Sequence, residues 1–326
     1  MNDIDYEKKY IYILKCLAVL SIVTAHCGNI ARDNNIIANI FYWIMTQIGA
    51  IGVGVFYIIS GYLFYKNLDS FKLFFSKKVK GIVVPWIITG SFVYLVMSMK
   101  NNVLNLKSFI GFLFLGKSYL YYLSILMIFY LIYFFIKNNQ NLLIAIILIS
   151  IVSILATATG VLDFINPYIN PLNFAIYFSF GILIKKQNLL NKLSTIFYKK
   201  RVLLTILYVF SLYIIYKFNI TSGYWGYSTL IIQPIAIILI MGIARSKLLK
   251  RKNIMYVGKQ SFAIYLIHRP IAYGITIVFK ALNLWQFMLI MPVVIILITI
   301  VCIEIYRYIA NKIFKTNKLN FIVGIR

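Results

Sequence analysis

The sequence predicts an all-α polytopic membrane protein with about ten transmembrane helices and both termini in the cytoplasm. Of its 326 residues, 62% are hydrophobic and only 12% are charged. Soluble domains are nearer half apolar and a quarter charged. Ten apolar runs follow one another, each near the ~20 residues that cross ~30 Å of hydrocarbon. The basic residues are concentrated in alternate connections between these runs, which favours a membrane protein over a nucleic-acid-binding one despite the formal net charge of +26.

The apolar runs divide the chain in order. The predicted spans cover residues 10–28, 38–65, 82–99, 118–136, 142–160, 171–184, 202–218, 227–244, 257–279 and 284–309. Segment 106–117 is too short to span and is expected at the membrane interface. Span 1 is expected to remain as a signal anchor, because no convincing cleavage site follows it. Ten spans leave no room for a separate soluble domain, so residues 1–326 are predicted to form one integral-membrane domain.

The distribution of Lys and Arg sets the predicted orientation. With the N-terminus inside, 26 of the 33 basic residues lie in cytoplasmic segments, 6 lie at the outer side, and Arg269 lies within span 9. Cytoplasmic loops carry such an excess of basic residues. Removing any one span would destroy the alternation, so this pattern also supports the count of ten.

Several site classes are excluded by residue type and spacing. Cys16, Cys27 and Cys302 lie in or at the ends of apolar runs with no pairing pattern, so no disulfide framework is expected. Two histidines without clustered carboxylates argue against a protein metal site. Cys27 and His26 are neighbours and point apart on a helix. No Gly-rich phosphate loop is present, and no permanently bound cofactor is expected.

The first candidate pair lies in span 1. Lys15 and His26 are eleven residues apart, which places both on one helix face about 16 Å apart along the axis. Ionisable groups within a span are functional candidates because burying them unpaired is costly. Neutral imidazole can serve as a general base. The alternatives are a structural histidine bonded to a neighbour and a lysine that extends to the inner headgroups.

Span 2 carries a run of small residues: Gly49, Gly52, Gly54, Ser60 and Gly61. Small side chains let helices approach closely within a membrane. Helix packing explains this run as well as a binding site does.

Three lysines, Lys77, Lys78 and Lys80, precede a span that carries Pro85 in its first turn. Lysines at the start of a helix suit phosphate groups, and acyl-CoA carries such phosphates. The alternative is an ordinary cluster of basic residues that orients the span.

His268 and Arg269 lie about halfway along span 9 and are followed by Pro270. Such a pair cannot face lipid cheaply and is expected to face an internal cavity. Pro270 is expected to free a backbone carbonyl and to allow a kink. Glu304, in span 10, is the natural partner for a buried cation, and Arg307 is the rival partner one turn along.

These blocks, in this order, resemble the membrane-bound acyltransferase family 3, which includes polysaccharide O-acetyltransferases. The chain reads Lys15-x10-His26, where the family has a basic residue and then His. It continues with Phe56-Tyr57-Ile58-Ile59-Ser60-Gly61-Tyr62 for the family's FF-x-x-SG-[FY] block and with a basic run that ends at Pro85-Trp86. Gly258 through His268 match G-x-x-S-x-x-[IL]-YL-x-H. The ten-span architecture with cytoplasmic ends is also similar.

The sequence departs from the family pattern at three places. Lys15 stands where Arg is usual, and lysines replace arginines before Pro85. A lysine cannot form the bidentate fork of an arginine. Gly54 or Val55 stands where an Asp often precedes the FF block.

The resemblance implies transfer of an acyl group, most often acetyl, from cytoplasmic acyl-CoA to a hydroxyl of an extracytoplasmic glycan or lipid-linked saccharide. His26 would be the general base or an acyl relay, and Lys15 would position the thioester. Lys77, Lys78 and Lys80 would hold the CoA phosphates. His268 and Arg269 would line the same cavity, His268 as a catalytic residue and Arg269 as a residue that binds the donor. The implied location is the bacterial plasma membrane, in contact with lipid.

Two other function classes fit the residues. Buried His, Arg and Glu are as typical of a transporter or glycan exporter as of an enzyme, although no internal repeat is visible. A relative that senses a small molecule is the third class. The acceptor sugar and the oligomeric state stay open.

Overall fold

The computed structural model is α-helical and describes residues 3–28, 30, 35–49, 51–66, 70–101, 104–218, 227–314 and 324. About 83% of the structure is helix, and the described ranges contain no strand. The α-helices are α1 Asp3–Ala25, α2 Ile36–Gly49, α3 Ile51–Lys66, α4 Phe71–Lys78, α5 Val84–Asn101, α6 Leu106–Leu113, α7 Tyr121–Ile136, α8 Gln140–Ala158, α9 Leu172–Lys186, α10 Leu190–Lys199, α11 Arg201–Lys217, α12 Tyr227–Ile243, α13 Lys252–Ala281 and α14 Met291–Phe314.

Each of the ten predicted spans coincides with a helix or with two successive helices. Within the described ranges, five helical segments are long and apolar enough to cross a membrane: Ile36–Tyr65, Phe71–Ser98, Gln140–Ala158, Lys252–Ala281 and Met291–Lys312. A polytopic all-α protein is therefore confirmed. The count of ten spans and the location of the termini stay predictions.

The outward faces of several helices are apolar. On α8, Leu148 and Val152 are 59% and 64% exposed, and on α11 Phe210 is 57% exposed. A soluble monomer rarely exposes apolar side chains so continuously. These faces suit contact with lipid.

The chain divides into two compact units, each assembled from separate segments. Unit 1 consists of Met1–Ala18, Val53–Phe75 and Ser124–Gly258, and unit 2 consists of Val19–Gly52, Ser76–Leu123 and Lys259–Arg326. The prediction of one integral-membrane domain is not tested by this division and stays a prediction.

The core of unit 1 is aromatic and depends on close helix contact. Phe178 packs against Phe129 and Tyr133 with ring centroids 5.1 and 4.8 Å apart. A Cβ added at Gly61 would overlap the carbonyl oxygen of Phe178, and one added at Gly181 would overlap that of Ile58. The close contact of α3 with α9 at these glycines therefore supports the packing interpretation of the small residues in span 2.

Unit 2 carries a π-helix where the basic run meets Pro85. Residues Val79–Val83 form this π-helix between α4 and α5, and the amide of Val84 donates to the carbonyl of Val79. A proline has no N–H and its ring clashes with the carbonyl four residues earlier. The wider turn removes that clash, so helical backbone continues from α4 into α5.

Candidate active site

His26 lies at the end of α1, in unit 2. Its amide donates to the carbonyl of Val23 at 3.0 Å, which closes the last turn. The end of α2 packs directly on this turn, because a Cβ at Gly49 would overlap the Cβ of Ala25. Ser21 adds a bond to the carbonyl of Ile48 at 2.6 Å. The half-buried imidazole of His26 therefore projects from a helix end that is held in place by these contacts.

His268 and Arg269 lie on α13, also in unit 2. His268 is fully buried, with 0% of its surface exposed, and Arg269 is half-buried. Nδ1 of His268 lies 2.8 Å from the carbonyl oxygen of Tyr265 and 3.1 Å from that of Ile264. These two carbonyls fix the plane of the imidazole ring.

The structure brings His26, His268 and Arg269 together. Arg269 Nη1 lies 2.9 Å from Nδ1 of His26, and the two imidazole rings are 5.1 Å apart between centroids. The three side chains therefore form one cluster within unit 2. Two imidazoles and a guanidinium can move a proton and stabilise a negative charge, which acyl transfer requires.

Tyr119 joins the cluster of His26, His268 and Arg269, and no sequence motif pointed to it. Its ring meets His268 and His26 edge-on, at centroid distances of 5.1 and 5.9 Å. Its hydroxyl donates to the carbonyl of Leu266 at 2.5 Å. Pro270 has no N–H for that carbonyl, so the carbonyl that the sequence predicted to be freed is satisfied by Tyr119. The hydroxyl of Tyr265 donates in turn to the carbonyl of Tyr119.

Replacing Tyr119 with Phe is expected to destabilise the protein by about 1 kcal/mol, because the buried Leu266 carbonyl loses its donor. Thermal unfolding in detergent measures the change. Tyr213→Phe is the matched control, because Tyr213 is 56% exposed on α11 and should leave stability unchanged. Equal melting temperatures for the two variants would contradict this account of Pro270 and Tyr119.

The other predicted site residues lie elsewhere. Lys15 lies on the unit 1 portion of α1, with Nζ 5.9 Å from the ring centroid of Tyr12. Lys77 and Lys78 end α4, and Lys80 lies in the π-helix. Lys77 and Lys80 are exposed and Lys78 is half-buried. The expectation of a helix start at these lysines is wrong, because α4 ends at Lys78 and helical backbone continues through Lys80 into α5.

Glu304 pairs with Arg307 along α14. Arg307 Nη1 lies 2.7 Å from both carboxylate oxygens. Of the two partners that the sequence offered for Glu304, Arg307 is therefore confirmed. The other partner, Arg269, donates to His26.

The family model described as an acyltransferase domain, acyltransferase family 3, matches residues 8–307 of the chain. No curated protein and no solved structure matches the chain. The match spans every residue of the cluster.

Proposed function

The chain belongs to acyltransferase family 3, and we propose that it transfers an acyl group, most simply acetyl, from cytoplasmic acyl-CoA to a hydroxyl of an extracytoplasmic glycan. The observation that carries this proposal is the contact of His26 with Arg269 beside His268. Attack of a hydroxyl on a thioester needs a base for the hydroxyl proton and donors for the oxyanion that forms. Both kinds of group meet in the cluster.

The proposed topology has ten spans with both termini in the cytoplasm of a bacterial cell, in its plasma membrane. It puts His26 toward the outer leaflet, where a glycan or lipid-linked saccharide would arrive. Lys15 would lie toward the inner leaflet and position the thioester end of the donor. Lys77, Lys78 and Lys80 would hold the phosphates of CoA, because a group of cations attracts an anionic ligand.

Replacing Lys77, Lys78 and Lys80 together with Gln is expected to raise KM for acetyl-CoA about 5- to 30-fold while kcat stays within about twofold, because exposed ion pairs contribute up to about 1 kcal/mol each to binding. Steady-state kinetics with purified protein measure both constants. The control is Lys107→Gln, an exposed lysine at the predicted outer side. An unchanged KM in the triple variant would reject these lysines as the donor site.

The proposed function itself is tested on cells. The O-acetyl content of the cell-surface glycan is compared by NMR with and without this gene, and again after complementation. We expect O-acetyl signals to disappear and return with the gene. Identical spectra in all three strains would contradict glycan O-acylation.

A further inference from the structure

The hydrogen bond from Arg269 fixes the tautomer of His26. A guanidinium carries donors only, so Nδ1 of His26 must accept the 2.9 Å bond from Nη1. The proton of a neutral His26 therefore lies on Nε2. This histidine presents an N–H group rather than a lone pair to an approaching substrate.

His268 has the opposite tautomer. Its Nδ1 faces the carbonyl oxygens of Tyr265 and Ile264, which can only accept, so Nδ1 carries the proton. Nε2 is left with its lone pair. This atom is buried and has no hydrogen-bond partner in the part of the chain that the structure describes.

Both imidazoles are expected to be neutral. Arg269 already brings a positive charge to the cluster. A second buried cation beside it, without an anion, would be costly within a membrane.

An unpaired buried acceptor such as Nε2 of His268 is also costly, by about 1–3 kcal/mol. Such a group calls for an explanation, and a substrate hydroxyl that donates to Nε2 of His268 supplies one.

We propose that His268 is the general base of acyl transfer, that His26 donates its Nε2–H to the developing oxyanion, and that Arg269 is a positioning residue that sets the tautomer of His26. This assignment rests on the proposed function. It differs from the expectation that His26 is the general base or an acyl relay. It is carried by the contact of Arg269 with Nδ1 of His26, by the two carbonyls at Nδ1 of His268, and by the 5.1 Å between the ring centroids.

The proposed step balances without a further reactant. Nε2 of His268 takes the proton of the acceptor hydroxyl, and the hydroxyl oxygen bonds to the thioester carbon of acyl-CoA. The carbonyl oxygen becomes an oxyanion that accepts from Nε2–H of His26. The C–S bond then breaks, and the CoA thiolate takes the proton from the imidazolium of His268. The products are an ester and free CoA, and both histidines regain their starting states.

The tautomers are directly measurable, because the chain has only two histidines. In protein labelled with ¹⁵N-histidine, we expect one ring protonated at Nε2 and one at Nδ1. The spectrum of His26→Gln assigns them, and the surviving ring should be protonated at Nδ1. Two rings with the same tautomer in the wild type would overturn the proposal even if the variant failed to fold.

Matched substitutions separate the two roles in acetyl transfer from acetyl-CoA. Gln keeps an N–H donor near the position of Nε2 but cannot act as a base. His26→Gln should therefore retain at least about tenfold more activity than His26→Ala, since one oxyanion donor and one base each contribute about 10²–10³-fold or more. His268→Gln should be as inactive as His268→Ala. The reverse pattern would make His26 the base and overturn the assignment.

Arg269→Met tests the positioning role. It should convert the His26 signal into a mixture of tautomers and lower kcat, with KM for acetyl-CoA unchanged. An unchanged His26 signal would exclude Arg269 from this role. If the wild type does not transfer acetyl at all, the proposed function and this assignment both fall. If the wild type transfers acetyl but the Gln pattern is reversed, only this assignment falls.

Discussion

Replacing His26 with Ala is expected to lower acyl transfer by about 10²–10⁴-fold, the usual contribution of a proton-transfer or oxyanion-binding group. The imidazole accepts a bond from Arg269 and lies beside His268, so its loss removes one group of the cluster and leaves the guanidinium without its acceptor. The O-acetyl content of the glycan in complemented cells, measured by NMR, reports the loss. Protein amount is measured in the same membranes.

Cys27→Ala is the matched control for this prediction. Cys27 is the next residue, is 2% exposed and donates through Sγ to the carbonyl of Val23 at 3.4 Å, within its own helix turn. It should retain near-normal acetylation. Full acetylation by His26→Ala at normal protein amount would remove His26 from the mechanism.

Replacing Gly61 with Ala is expected to destabilise the protein by about 1–3 kcal/mol or more, because an added Cβ has no space and the neighbouring atom cannot yield easily. That atom is the backbone carbonyl oxygen of Phe178, on the facing helix α9. The substitution would force α3 and α9 apart within the aromatic core of unit 1. Thermal unfolding in detergent measures the change.

Gly274→Ala provides the contrast, because a Cβ at Gly274 meets nothing within 4 Å. In an open helical position, alanine should leave stability unchanged or raise it by up to about 1 kcal/mol. A similar melting temperature for Gly61→Ala and Gly274→Ala would show that the close contact of α3 and α9 does not limit stability.

Hydropathy predicted most of the helices because lipid imposes a strong length and composition rule on each span. The rule has less power for segments that are expected to lie outside the membrane. Helix α10, Leu190–Lys199, lies between two predicted spans and was not predicted. Its buried side, with Leu190 and Ser194, recurs at helical spacing, so periodicity could have found it.

His26, His268 and Arg269 were each predicted as candidate residues, but their arrangement was not. His26 and Arg269 are 243 positions apart, and no local pattern shows that one donates to the other. The tautomers depend on that contact, so the sequence could not assign the base. Tyr119 was not predicted for the same reason. Pro270 indicated that a backbone carbonyl would be freed, but only the fold shows which hydroxyl donates to it.

The most direct test of acyl transfer uses purified protein, radiolabelled acetyl-CoA and fragments of the cell-surface glycan. We predict that the wild type moves label onto the glycan and releases free CoA, and that His26→Ala and His268→Ala do neither. Absence of both transfer and CoA release from the wild type, together with uptake of glycan fragments into vesicles that contain it, would contradict the account and identify a carrier.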